Sequence, residues 1–141
     1  MKKKDETLKA KKILFVCHGN VGRSQMAEAF YNHFTQTNDA WSAGVDPTTP
    51  RRYPYPAKEI IQVMQEENID VSKRKVKVIT KEMVENSDKI FVMCKKEDCP
   101  DFLLSHDRVT FWNIKDPYKA GLKATRKVRD NIKGKVLSII Q

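Results

Sequence analysis

The sequence predicts a single α/β domain, a four-stranded parallel sheet with helices on both faces. Three observations lead there. "KILFV" (12–16) and "KIFVMC" (89–94) are short, branched, continuous apolar runs, the mark of strands buried on both faces. Segments of helical period separate the strand-like runs, and that alternation favours parallel pairing through helical crossovers. At 141 residues the chain is long enough for one domain with a real core and little more.

The elements follow in order. After the first strand the pattern turns helical at Ser24, a candidate cap, with Met26, Ala27, Phe30, Tyr31 and Phe34 recurring at three- and four-residue spacing. "AWSAG" (40–44) reads as the second strand. "VDPTTPRRYPYP" (45–56) holds four prolines and reads as a loop. "AKEIIQVMQEEN" (57–68) is an amphipathic helix with Ile60, Ile61 and Met64 on one face, and "TKEMVENS" (80–87) a short helix capped by Thr80. "KIFVMC" and "VTFW" (109–112) are the third and fourth strands. From Gly121 the chain is helical, with Val128, Ile132, Val136 and Ile139 as its apolar stripe.

Composition narrows the classes of function. The chain is 40% hydrophobic and 32% charged, with a formal net charge of +9 and a pI near 9.5. No apolar run approaches a membrane span, and the lysine-rich start lacks the pattern of a signal peptide, so a cytoplasmic protein with no membrane partner is expected. Residues 1–11 read as a flexible basic leader and residues 12–141 as the domain. The positive balance suits an anionic substrate or an acidic partner, and serves equally as solubilising surface charge; nucleic acid is not the expected ligand. An odd number of cysteines, three, argues against a disulfide framework and for catalytic, redox or incidental thiols.

In sheets of this kind ligands bind off the carboxyl ends of the strands. Cys17, Cys94 and the loop after Trp112 all fall there. Residues 17–24, "CHGNVGRS", must turn sharply between a buried strand and a helix, and Gly19 and Gly22 allow the unusual dihedrals this needs. Backbone N–H groups along His18, Gly19, Asn20, Val21, Gly22, Arg23 and Ser24 then form a nest for a tetrahedral oxyanion, with Arg23 closing over it through a two-pronged hydrogen bond. The same field favours a thiolate at Cys17, a nucleophile at neutral pH, to which Ser24 can donate a hydrogen bond. On chemistry alone, Asp116 in "KDPY" reads either as a turn residue or as an acid at the same sheet edge.

"VCHGNVGRSQMAEAF" resembles the signature of the low-molecular-weight protein tyrosine phosphatases and of their sister group, the thioredoxin-coupled arsenate reductases. "WSAGVDP", "IDVS", "FWNIKDP" and "KVRDNIK" follow in that family's order and spacing, over nearly the whole chain after the leader. The resemblance implies Cys17 as nucleophile, Arg23 as oxyanion clamp, Asn20 as shaper of the loop, Ser24 as partner of the thiolate and Asp116 as proton donor to a leaving group. It implies no bound cofactor.

The two branches differ in the fate of the cysteine adduct. A phosphatase hydrolyses it; a reductase has a second thiol attack it and passes the oxidation on. "FVMCKKEDCPDF" supplies Cys94, at a strand end beside Cys17, and Cys99, in a charged loop. By themselves these read as a buried apolar residue and an incidental surface thiol. The resemblance to the reductases implies instead that Cys94 resolves, Cys99 relays, and thioredoxin or another thiol regenerates. Arg51, Arg52, Tyr53 and Tyr55 in the proline-rich loop, and Tyr118, resemble the pocket wall of the phosphatases. Trp112 resembles the reductases and serves equally as core. Some reductases of the family hold a cation where Glu28 falls; Lys75 and Lys77 near that place favour a lysine ammonium in its stead, so no metal is expected. His18 reads as an exposed loop residue. The leading expectation is an arsenate reductase; a phosphatase acting on aryl phosphates comes second, and a basic, non-catalytic phospholigand binder third.

Overall fold

The structure, a computed structural model, describes residues 12–140; the leader expected at residues 1–11 lies outside the described residues. β1 (Ile13–Cys17), β2 (Ala40–Gly44), β3 (Lys89–Val92) and β4 (Val109–Phe111) form one sheet in the order β2-β1-β3-β4, every pair parallel. The connections carry α1 (Arg23–Thr35) between β1 and β2, and α2 (Thr49–Arg52), α3 (Lys58–Gln65) and α4 (Lys81–Glu85) between β2 and β3. A 3₁₀ turn (Lys96–Asp98) and α5 (Asp101–Leu104) link β3 to β4, and α6 (Leu122–Ile140) closes the chain.

The pleat explains why β1 is apolar throughout. Ile13, Phe15 and Cys17 face α1, α3 and α6, where Met26, Phe30, Val63, Met64, Ile132 and Val136 are buried with them. Leu14 and Val16 face the opposite side, covered by Ile79, Val84 and Leu103. Phe15 stacks on Phe91, whose ring also lies 4.5 Å from that of Trp112, so the middle of the sheet is aromatic. Among the described residues no helix is long and apolar enough to cross a membrane.

Four expectations need correction. The proline-rich loop contains the short helix α2, because Pro50 falls in its first turn, where a missing N–H costs nothing. Ser24 does not cap α1; the helix starts one residue earlier, after Gly22, and the Ser24 hydroxyl is used elsewhere. In α3 it is Val63, not Ile61, that is buried with Ile60 and Met64. The Cys94–Pro100 segment is not plain loop but a 3₁₀ turn leading into α5. Thr80 does cap α4, its Oγ1 accepting from the Met83 N–H at 3.1 Å.

α6 is fastened to the end of α3 by charge. Glu66 accepts from the Arg126 guanidinium (2.9 Å) and from Arg129 Nη1 (2.6 Å), and these bonds, Arg126 first, hold its carboxyl down from the ordinary 4.5 to about 2. A lowered folded-state pKa stabilises above the unfolded value and is lost as pH falls through the folded one. Thermal melts of Glu66→Gln are therefore expected to fall below wild type at pH 7, with the gap closing as pH drops from about 4.5 towards 2.

Candidate active site

Residues 18–22 fold back over the carboxyl end of the sheet and are tied to the segment after β2. Val45 N donates to the Cys17 and His18 carbonyls (3.1 and 2.9 Å), and Asp46 N to the His18 carbonyl (2.9 Å). Gly44 lets the two backbones approach. A Cβ there would lie 2.6 Å from the Gly19 carbonyl carbon and 2.8 Å from Asn20 N, and backbone cannot step aside as a side chain can. Gly44→Ala is expected to cost about 1–3 kcal/mol of stability by overpacking, and to lower kcat/KM about 10²-fold by displacing the loop. Denaturant melts and steady-state assays on the same preparation check both.

The left-handed residue of the loop is Asn20 (φ 62°), not Gly19 or Gly22; those two instead make room against Thr49 and Ile60, each of which an added Cβ would meet at 3.3 Å. A left-handed asparagine costs about 1 kcal/mol, and here its buried side chain offsets that with four hydrogen bonds. Oδ1 accepts from Gln25 Nε2 (3.0 Å) and Lys77 N (2.9 Å), which fixes the amide so that Nδ2 faces Ser24 Oγ (2.7 Å) and Ser42 Oγ (3.0 Å).

That orientation sets the direction of the next bonds. Ser42 Oγ donates a hydrogen bond to Glu28 Oε1 (2.6 Å). Ser24, already accepting from Asn20, has its own proton free for Cys17 Sγ at 2.9 Å. Asn20 N donates to the same sulfur at 3.3 Å. Two donors, the Ser24 hydroxyl and Asn20 N, converge on a cysteine that is 2% exposed.

The Arg23 side chain is buried, and its Nη1 donates to the Met93 carbonyl and, at 3.0 Å, to the Ile114 carbonyl, joining the ends of β3 and β4. Its Nη2 stands 3.6 Å from Asp116 Oδ2, and Asp116 is exposed to solvent. Asp116 Oδ1 accepts from Tyr118 N (3.0 Å), so the aspartate is both turn-former and wall of the site.

Two cavities meet at this point. One, of about 770 Å³, opens in front of Cys17 and is walled by Arg52, Tyr53, Tyr55, Tyr118 and Asp116. The Tyr53 and Tyr118 hydroxyls are 3.3 Å apart across it. The other, of about 620 Å³, opens beside Cys94 and is lined by Lys95, Asp98, Phe111 and Trp112. His18, Arg23 and Asp116 border both. His18 is exposed, as expected, with Nε2 3.4 Å from Asp46 and Nδ1 3.9 Å from Asp98. Hydrogen bonds from the Thr48 backbone and hydroxyl hold Asp46 below the usual carboxylate range.

The expectation of Cys99 as an exposed loop thiol is overturned. It is 8% exposed, set in the core beside Leu103, with its Sγ 3.9 Å from that of Cys94 and donating to the Lys95 carbonyl at 3.4 Å. Cys94 lies just past β3, half-buried. Burial pushes both thiols up, and at Cys94 the neighbouring Cys99 and Cys17 sulfurs add to it.

Glu28 is buried and its charge is met by Arg74 Nη1 (2.5 Å) and Lys77 Nζ (3.9 Å); Lys75 is exposed. The cations beside Glu28 are thus Arg74 and Lys77 rather than Lys75 and Lys77. Among the described residues no group of three or more His, Cys, Asp or Glu is placed to hold a metal ion. Sequence reasoning missed Ser42, Gly44 and Arg74; the small residues closing "AWSAG" were the one available signal for the first two.

Comparison with known proteins bears on the whole domain. The family described as "Low molecular weight phosphotyrosine protein phosphatase" matches residues 12–141. "Arsenate reductase 1" of Staphylococcus saprophyticus is 30% identical over 128 residues, covering 87% of this chain and 91% of its own. A solved arsenate reductase in the phosphate-binding state superposes with a TM-score of 0.78 at 26% identity, over 92% of this chain and 96% of its own. Vibrio vulnificus Wzb in complex with benzylphosphonate shares the fold, with a TM-score of 0.81 at 22% identity over 92% and 96%.

Proposed function

The chain belongs to the low molecular weight phosphotyrosine protein phosphatase family, an enzyme family, and from that premise we propose that it is a thiol-dependent arsenate reductase. The observation that carries this reading is the pair of sulfurs, Cys94 and Cys99, 3.9 Å apart, with Cys94 next in sequence to Met93, whose carbonyl Arg23 holds.

The Cys17 thiolate attacks arsenic and displaces one oxygen as water, while the loop N–H groups and Arg23 hold the remaining oxygens. Cys94 then attacks the Cys17 sulfur. A Cys17–Cys94 disulfide forms, the sulfur–arsenic bond breaks, and its electron pair leaves with arsenic as arsenite. Cys99 attacks Cys94, freeing Cys17 and leaving a Cys94–Cys99 disulfide. Thioredoxin or another thiol returns the two electrons. No bound cofactor enters any step.

One observation favours a second reading. The cavity before Cys17 is walled by three tyrosines and edged by Asp116, which suits an aryl phosphate whose leaving oxygen needs a proton. Both readings use Cys17, and both predict that Cys17→Ser abolishes turnover, by about 10⁴-fold or more. The test is arsenate-dependent NADPH oxidation with thioredoxin and its reductase, run beside aryl phosphate hydrolysis. Arsenate-dependent oxidation is expected; hydrolysis alone would establish the phosphatase.

A further inference from the structure

The three sulfurs do not face the same space. Cys17 opens to the larger cavity, Cys94 to the smaller, and Cys99 to neither. A disulfide between Cys94 and Cys99 would therefore turn its Cys94 sulfur towards the 620 Å³ cavity and keep its Cys99 sulfur in the core beside Leu103. Thiol–disulfide exchange is a displacement in which the incoming sulfur approaches along the line of the bond that breaks. The cavity leaves Cys94 open to an incoming sulfur, whereas Cys99 is buried with Leu103 and borders neither cavity.

We propose that the cavity beside Cys94 is the port for a low-molecular-weight, peptide-like thiol, which reduces the enzyme by attacking Cys94 rather than Cys99. This rests on the reductase reading for its purpose, though not for its chemistry. The walls choose the class of thiol. Met93, Phe111, Trp112 and Ile114 give an apolar floor, Lys95 and Arg23 supply cationic groups, and Asp98 and Asp116 anionic ones. A zwitterion with a short apolar stem matches that set, and the volume suits a ligand of a few residues.

The exchange balances as follows. The thiolate R–S⁻ bonds to Cys94 Sγ, the Cys94–Cys99 bond breaks, and its electron pair leaves on Cys99, which takes a proton from solvent. A second R–S⁻ attacks the R sulfur of the mixed disulfide, releasing Cys94 and giving R–S–S–R. Two electrons pass from two thiols to one protein disulfide.

The test needs no arsenate. The purified protein is oxidised with diamide and treated with glutathione as probe, and the adduct is located by peptide mass. Glutathione on Cys94 with Cys99 released as thiol is the expected result. To trap the step without its resolving partner, Cys99→Ser and Cys94→Ser are treated with glutathione disulfide. Read on the peptide that carries positions 94 and 99, so that Cys17 does not contribute, Cys99→Ser is expected to accumulate the adduct and Cys94→Ser to form it at least 10-fold more slowly. Filling the cavity mouth with Asn113→Trp is expected to slow adduct formation at Cys94 at least 10-fold, and 2-mercaptoethanol, which lacks the charged groups, to react more slowly than glutathione. An adduct on Cys99, no adduct on either, or rates indifferent to Asn113→Trp would overturn the proposal. Because the disulfide is made chemically, a failure to reduce arsenate leaves this test standing, and its own failure leaves arsenate reduction open to a protein dithiol.

Discussion

Cys94→Ser is expected to reduce arsenate-dependent NADPH oxidation to below about one hundredth of wild type while aryl phosphate hydrolysis stays within about twofold. The split follows from where Cys94 stands. It makes no bond to the Asn20–Ser24–Cys17 network, so the thiolate and the anion loop survive its loss. It is also half-buried at a strand end, where exchanging sulfur for oxygen changes volume little. Cys99→Ser sharpens the result. Its oxidised Cys17–Cys94 product still forms, so one arsenite per protein is expected in a single turnover, with no sustained cycle on thioredoxin. If Cys94→Ser leaves the oxidation rate intact, Cys94 is not the second thiol of the reaction.

Arg23→Lys is expected to cost both activities about 10³-fold, and about 1–3 kcal/mol of stability besides. The second effect is the informative one. The guanidinium spans the Met93 and Ile114 carbonyls with one nitrogen while another faces Asp116, a geometry an ammonium cannot copy. A lysine carries one nitrogen on a shorter stem, so it cannot hold the two carbonyls and face Asp116 at once. Denaturant melts alongside aryl phosphate and arsenate assays measure both losses. A variant inactive yet as stable as wild type would show that the arginine does not join the two strand ends in solution.

How much was legible in the sequence follows physical lines. The strands were, because a residue buried on either face must be apolar, and Leu14, Phe15, Val16, Ile90 and Val92 satisfy that without help from context. α6 was, because its buried positions repeat at helical spacing; α1 is buried without a break from Arg23 to Tyr31, and only its apolar side chains showed the period. Helices of four residues were not, since α2 and α5 make about one turn each, too short for a hydrophobic period to repeat, and are fixed by tertiary contacts. Within the site, Cys17, Arg23, Ser24 and Asp116 could be singled out because their spacing belongs to one loop and one sheet edge. Gly44 and Ser42 could not, because their importance arises from a backbone approach and a hydrogen bond to residues more than twenty positions away. Cys99 was misread for a related reason: its neighbours in sequence are charged, and its neighbours in space are Leu103 and the sheet.

The Asn20 amide also ties the enzyme to a clock. Asparagine side chains hydrolyse slowly to aspartate when the next backbone nitrogen can swing onto the side-chain carbon, and four hydrogen bonds hold this one away from that motion. Should it happen once, the nitrogen between Ser24 and Ser42 becomes an oxygen. Ser24 then turns its proton towards the new acceptor and away from Cys17. A change of one mass unit would turn Ser24 away from the sulfur it serves.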